Sequence, residues 1–346
     1  MFTVKKPERL RPGDTVAAVS LSWGGAGDKE MRWRYELGKR RIEEEFGLRV
    51  VEMEHTLAGS AVLRAHPEYR AEDFNQAFRD PSIRGVFSCI GGDDSIRMLP
   101  YIDFEAIANN PKLFLGYSDS TIAHFCCWRA GVGSVYGPSI LAEFAENVEM
   151  FDYTRHWLKK TLFDPSPLGE ISASDEWTGE YLEWSPENQN TKKTMQRNMG
   201  YELLQGEGRS RGQLIGGCLE VFDMLRGTPL WPKLNEFDDT ILFLETSELQ
   251  PSPDQLGLWL RSYASAGVLA QVAGILWGKP CQEVHDAAYR QIIREVLTEE
   301  FDFYDLPVLY NASFGHNEPM CCLPYGAMAE IDCERKAFRI LDAAVE

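Results

Sequence analysis

The chain has 346 residues, 44% of them hydrophobic and 25% charged, with 35 Lys plus Arg against 53 Asp plus Glu for a formal charge of −18. That length exceeds the usual single core and predicts two lobes with a cleft between them. The acidic balance argues against a nucleic acid polymer or an anionic membrane as partner, and with neither a secretory signal after Met1 nor an apolar run of roughly eighteen residues, the expected setting is the cytoplasm.

In chain order, residues 14–20 read as a first β-strand, 29–46 as a charged surface helix closed by Gly47, and 48–52 as a second strand. Residues 71–78 have helical spacing and lead into an apolar run, 85–90, that ends in Gly91-Gly92. A similar run, 112–115, ends in Gly116-Tyr117-Ser118-Asp119 before an apolar helix over 120–129. Short apolar strands alternating with helices predict a parallel sheet covered by helices, with functional turns at the strand C-termini.

The pattern then degrades into Ser, Pro, Glu, Trp and Asn, which predicts a connecting loop over 166–211 between an N-terminal domain, 1–165, and a C-terminal domain, 212–346. In the second lobe a helix is expected up to about residue 225. Strands are expected at 240–245, 272–277, 306–310, 327–332 and 337–341, with helices at 254–266 and 285–300, so this lobe reads as mixed α/β with substantial β structure. Eight cysteines show neither Cys-x-x-Cys spacing nor a nearby histidine pair, so reduced thiols are expected and no metal or other cofactor.

Three positions carry the candidate chemistry. Ser118 lies on a sharp strand-to-helix turn, where its hydroxyl can project as a nucleophile, although Ser120 replaces the second glycine of the Gly-x-Ser-x-Gly pattern and a helix N-cap is the plainer role. Glu245 ends the apolar run 240–244, where a buried carboxylate needs a cationic partner, with Glu248 as its rival. His316 follows a strand in a polar, glycine-containing loop suited to a general base. Gly91-Gly92 could turn backbone N–H groups toward an oxyanion together with the N–H of Asp119, or could simply form a turn. The order serine, acid, histidine, each at a strand end, follows the logic of a catalytic triad.

With these residues in view, the chain resembles the LD-carboxypeptidase family of serine peptidases, also called the microcin C self-immunity family. The resemblance rests on Arg11-Pro12-Gly13-Asp14, Gly91-Gly92-Asp93-Asp94, Gly116-Tyr117-Ser118-Asp119, Gly212-Gln213-Leu214-Ile215-Gly216-Gly217, Leu244-Glu245-Thr246-Ser247-Glu248 and Gly315-His316, which span nearly the whole chain. It implies an N-terminal α/β lobe of flavodoxin or Rossmann type, a C-terminal lobe with substantial β structure, a triad of Ser118, Glu245 and His316, oxyanion N–H groups from Gly92 and Asp119, a homodimer and no metal. The segment 174–184, with Trp177 and Trp184, is similar to the tryptophan-bearing loop of the immunity branch, whose substrates are peptidyl-nucleotides. On that resemblance Asp93, Trp177, Trp184 and Glu248 are expected substrate contacts; the indoles could stack on an adenine or anchor the loop. The other branch releases D-alanine from murein tetrapeptides. A non-catalytic nucleotide-binding module is a further alternative, weakened because Leu21-Ser22-Trp23-Gly24-Gly25 stands where a dinucleotide fingerprint would follow the first strand.

Overall fold

The computed structural model describes residues 3–346. The first lobe runs β1 (Thr15–Val19), α1 (Arg32–Phe46), β2 (Arg49–Glu52), α2 (Ser60–Ala65), α3 (Pro67–Arg79), β3 (Ile83–Ser88), α4 (Phe104–Asn109), β4 (Leu113–Gly116), α5 (Thr121–Arg129) and β5 (Val135–Tyr136). The strands pair in parallel in the order 2-1-3-4-5, the doubly wound order of flavodoxin type. Helices on the faces of such a sheet bury its strands, and accordingly every residue of β4 is inaccessible. The α1 helix stops at Gly47, whose φ of 68° is the left-handed C-terminal turn that glycine adopts without a Cβ penalty.

The rest of the chain continues through α6 (Asp152–Phe163), β6 (Gly169–Glu170), the hairpin strands β7 (Glu176–Trp177) and β8 (Gln196–Arg197), β9 (Glu202–Gln205), β10 (Arg209–Cys218), α7 (Leu219–Met224), β11 (Thr240–Glu245), α8 (Pro253–Ser265), β12 (Gly274–Gly278), α9 (Asp286–Arg294), β13 (Val308–Ala312), β14 (Leu323–Pro324), β15 (Met328–Asp332) and β16 (Ala337–Ile340). Eight of these strands form one mixed sheet, ordered 6-16-15-10-11-12-13-9. Its centre, β10 to β13, is parallel, and antiparallel strands close both flanks.

The two sheets are stitched rather than merely linked. Strand β14, from late in the chain, pairs with β5 at the edge of the first sheet, while β6 and β9 from the 166–211 segment form the two edges of the second. Tyr136 of the first sheet packs against Phe243 of the second and Phe314 just beyond β13, at ring separations of 5.5 and 6.4 Å. The seam is therefore aromatic and buried, and the C-terminal ends of β4 and β11 meet there.

Candidate active site

Ser118 is the first residue after the β4–Tyr117 run, in a single 3-10 turn that leads directly into α5. Its φ of 61° is in the left-handed region, an uncommon conformation for a residue with a side chain, and it swings the hydroxyl out of the path of the chain. Gly91 sits against this turn, where an added Cβ would come within 2.8 Å of the Ser118 Cβ and 3.0 Å of its Oγ. The glycine thus lets the β3 turn pass directly under the serine. His124, one helical turn into α5, bonds Gly116 O and Ser134 Oγ at 2.9 and 2.8 Å; burial lowers its pKa to about 3, so it is a neutral core histidine that braces the end of β4.

Ser118 Oγ lies 2.9 Å from His316 Nε2, and His316 Nδ1 lies 2.7 Å from Glu245 Oε2. Glu245 is fully buried at the end of β11, and its second oxygen accepts the Tyr136 hydroxyl at 2.6 Å. An ionised carboxylate only accepts, so Nδ1 carries hydrogen and Nε2 faces the serine. Gly315, at φ 96°, is required beside this pair because a Cβ there would fall 2.6 Å from Glu245 Oε2. Of the two glutamates near the histidine, Glu245 holds Nδ1, whereas Glu248 reaches Nε2 at 3.2 Å from an exposed position. Burial works to lower the imidazole pKa, but Glu245, with help from Glu248 and Glu220, outweighs it and raises it to about 9.

The turn after β3 supplies the opposite side. Ser22, just past β1, accepts the N–H groups of Asp93 and Asp94 at 3.1 and 3.3 Å, and Arg70 clamps the Asp94 carboxylate from behind at 2.6 and 3.2 Å. The Asp119 side chain points into the protein, accepting Ser95 N–H at 2.8 Å, and burial raises its pKa. This locks the two turns together. Among the described residues no acceptor is paired with the N–H of Gly92 or Asp119, so both are free to donate.

Ser118, His316 and the Gly91–Gly92 turn lie on the floor of a cavity of about 880 Å³. Its volume suits a ligand of nucleotide or short-peptide size. One wall carries Trp23, Arg34 and Trp184, with the Arg34 guanidinium 4.3 Å from the Trp184 ring and the two indoles 6.5 Å apart. The other carries Glu220, Glu248, Gln250 and Gln282. Asp93, Trp184 and Glu248 line the cavity, but Trp177 does not: its indole is buried beneath the Lys279 ammonium, 4.3 Å from the ring, because β7 turns it toward the protein body. Trp177 is an anchor for the loop and not a wall of the site.

Residues 16–137 match the model of the LD-carboxypeptidase N-terminal domain, and residues 211–331 that of the C-terminal domain. The chain is 30% identical to a putative carboxypeptidase of Vibrio cholerae over 80% of each chain. It belongs to the LD-carboxypeptidase family. Its relatives also include the Escherichia coli microcin C7 self-immunity protein MccF, 31% identical over 79% of this chain and 78% of that one. Among solved structures, an MccF-like protein from Streptococcus pneumoniae in complex with AMP superposes with a TM-score of 0.87 at 32% identity, covering 95% of this chain and 98% of the other. MccF in complex with aspartyl sulfamoyl adenosine superposes with a TM-score of 0.86 at 25% identity, covering 99% and 100%.

In this LD-carboxypeptidase family member several wall residues were silent in the sequence. Arg34 sits in a helix that reads as a solvated charged face, yet it is buried and donates to Leu141 O at 2.6 Å. Lys193 lies in the degenerate segment but is held, largely covered, between Glu146, at 2.7 Å, and Glu318. Burial works to lower its pKa, and the two carboxylates outweigh it and keep the ammonium charged. Trp23 did leave a signal, since it follows β1 on the same sheet edge as Gly91 and Ser118.

Proposed function

We propose that the protein is a serine peptidase or amidase in which Ser118, His316 and Glu245 act as a triad on the amide of an aminoacyl- or peptidyl-nucleotide. The observation that carries this reading is the chain of contacts from Ser118 Oγ through His316 to the buried Glu245 on the floor of a cavity with an Arg34–Trp184–Trp23 wall. In its neutral form His316 Nε2 takes the proton as Oγ attacks the scissile carbonyl. The N–H groups of Gly92 and Asp119 receive the oxyanion, His316 returns the proton to the leaving nitrogen as the C–N bond breaks, and water then releases the acyl group from Ser118. Glu245 keeps hydrogen on Nδ1 throughout and stabilises the imidazolium. Trp184 supports a base or other flat group on the leaving side, where stacking on an indole tolerates any π face.

Turnover of aspartyl sulfamoyl adenosine and of a murein L,D-tetrapeptide, followed side by side by mass spectrometry with Ser118→Ala as blank, tests the reading. Cleavage of the nucleotide amide with the tetrapeptide intact is expected. Release of D-alanine with the nucleotide untouched would transfer the protein to cell-wall peptide recycling and leave Trp184 as structure.

A further inference from the structure

Tyr136 occupies a place that triad logic does not require. Its hydroxyl accepts the backbone N–H of Ser118 at 3.1 Å and donates to Glu245 Oε1 at 2.6 Å. A phenol has one proton, and since the Ser118 N–H supplies its own, the Tyr136 proton is committed to the carboxylate. The ring is fixed by Tyr117, His124, Phe243 and Phe314 from both lobes. Three consequences follow from this one oxygen. The left-handed backbone of Ser118 has a buried N–H that would otherwise be unpaired. Glu245, fully buried, has both oxygens satisfied, which fixes its rotation and leaves Oε2 to His316 alone. The nucleophile on the first sheet and the acid on the second are held in register across the seam by a single atom.

We propose that Tyr136 is a positioning residue of the triad, setting through its hydroxyl both the attitude of the Ser118 turn and the strength with which Glu245 holds His316. This rests on the serine-hydrolase reading and adds a residue to it. The groups that face His316 are Glu245 from β11, Glu248 from the loop beyond it, Glu220 from α7, and Tyr117 and Ser118 from the β4 turn. Those that face the Tyr136–Glu245 contact are Cys218 and Tyr325. None of these but Tyr136 donates to Glu245 Oε1, so loss of its hydroxyl leaves more of the carboxylate's negative charge to act on His316.

The test is the second-order rate at which an alkyl fluorophosphonate labels Ser118, measured against pH in the full-length protein; the Oγ–P bond forms as fluoride leaves, so the natural substrate need not be known. Tyr136→Phe keeps the ring and is expected to slow labelling about 10- to 100-fold, the loss typical of a charge-assisted hydrogen bond, and to move the His316 limb to higher pH. Replacement of Tyr136 by 3-fluorotyrosine keeps both contacts with a stronger donor and is expected to move the limb to lower pH, which carries the test even where the Phe variant fails to fold. An unmoved limb in the fluorotyrosine protein, or Phe-variant labelling at the wild-type rate, overturns the role of Tyr136 alone. Wild-type protein labelled no faster than Ser118→Ala overturns the hydrolase reading and this inference with it.

Discussion

The corner that holds Ser118, Glu245 and His316 and the loop that carries Trp184 border the same cavity but are built on opposite plans. In the corner, three side chains arrive from the ends of strands in two sheets, and both oxygens of Glu245, both nitrogens of His316 and the backbone N–H of Ser118 are engaged. The loop has two-residue strands and an exposed Tyr181, and it is tied to the body by scattered single contacts, among them the Thr178–Glu318 backbone bridge, the Lys193 ion pairs, the Arg34–Trp184 stack and the buried Trp177. Proton transfer and attack need positions held to fractions of an ångström, which rigid strand ends supply, whereas selection among substrates needs only a surface of the right shape. The two regions should then be separable by mutation, one acting on kcat and the other on KM.

The largest expected effect breaks the corner. Ser118→Ala should lower kcat on the cleaved substrate by about a million-fold with little change in KM, because a triad acts as a unit and one missing member removes most of its benefit. Glu245→Gln should cost about 10,000-fold, since an amide can present its NH₂ to Nδ1 and favour the wrong tautomer. A Glu245→Gln protein with wild-type kcat would show that Glu248, already 3.2 Å from Nε2, can substitute as partner and that the corner is less closely specified than its contacts imply.

Much of this corner was legible in the sequence, and the loop was not, for the same physical reason. Apolar runs such as 240–245 and 112–115 become parallel strands because both faces are covered, and a polar residue at the end of such a run stands out against it; Ser118 and Glu245 stood out on that ground and His316 by its polar, glycine-containing loop, while the family resemblance joined the three. The strand expected at 272–277 lies at Gly274–Gly278 and that at 306–310 at Val308–Ala312, shifts of the size that strand ends ordinarily show. The expected helix over 285–300 is α9 followed by a π turn at residues 295–300. By contrast β7 and β8 are two-residue strands that pair only with each other, and Lys193 depends on Glu146 and Glu318, 47 and 125 residues away, so no local period encodes them. Trp177 and Trp184 have the same residue type and neighbouring positions, so only the direction of β7 distinguishes the anchor from the wall.

That distinction gives the next effect in size. Trp184→Ala removes a stacking surface and should raise KM for aspartyl sulfamoyl adenosine about 10-fold with kcat nearly unchanged, in line with ~1–3 kcal/mol per stacked base. Trp177→Ala should instead cost stability, about 3 kcal/mol for a buried aromatic, read as an earlier thermal transition. If Trp177→Ala raised KM as much as Trp184→Ala without loss of stability, the loop would be acting as one surface and the anchor-and-wall division would fail.

The smallest effect sharpens the electrostatics of the corner. The raised His316 pKa of about 9 means that at neutral pH roughly one molecule in a hundred has the imidazole as a base, so kcat/KM should climb with pH and level off above about 9. Stability should run the other way: a group whose folded pKa lies above its unfolded value of 6.5 contributes fully below that pH, and the contribution is lost as pH rises through about 9. Glu248→Gln removes one of the charges that hold the proton on, while Glu245 keeps its place. The activity limb should then move to lower pH by about half a unit at low salt and by less at high salt, because the Glu248 side chain is 72% exposed and its field is screened. A limb that stayed at about 9 in Glu248→Gln would assign the whole upward pull to the buried Glu245, making the exposed glutamate a substrate contact and no part of the proton balance.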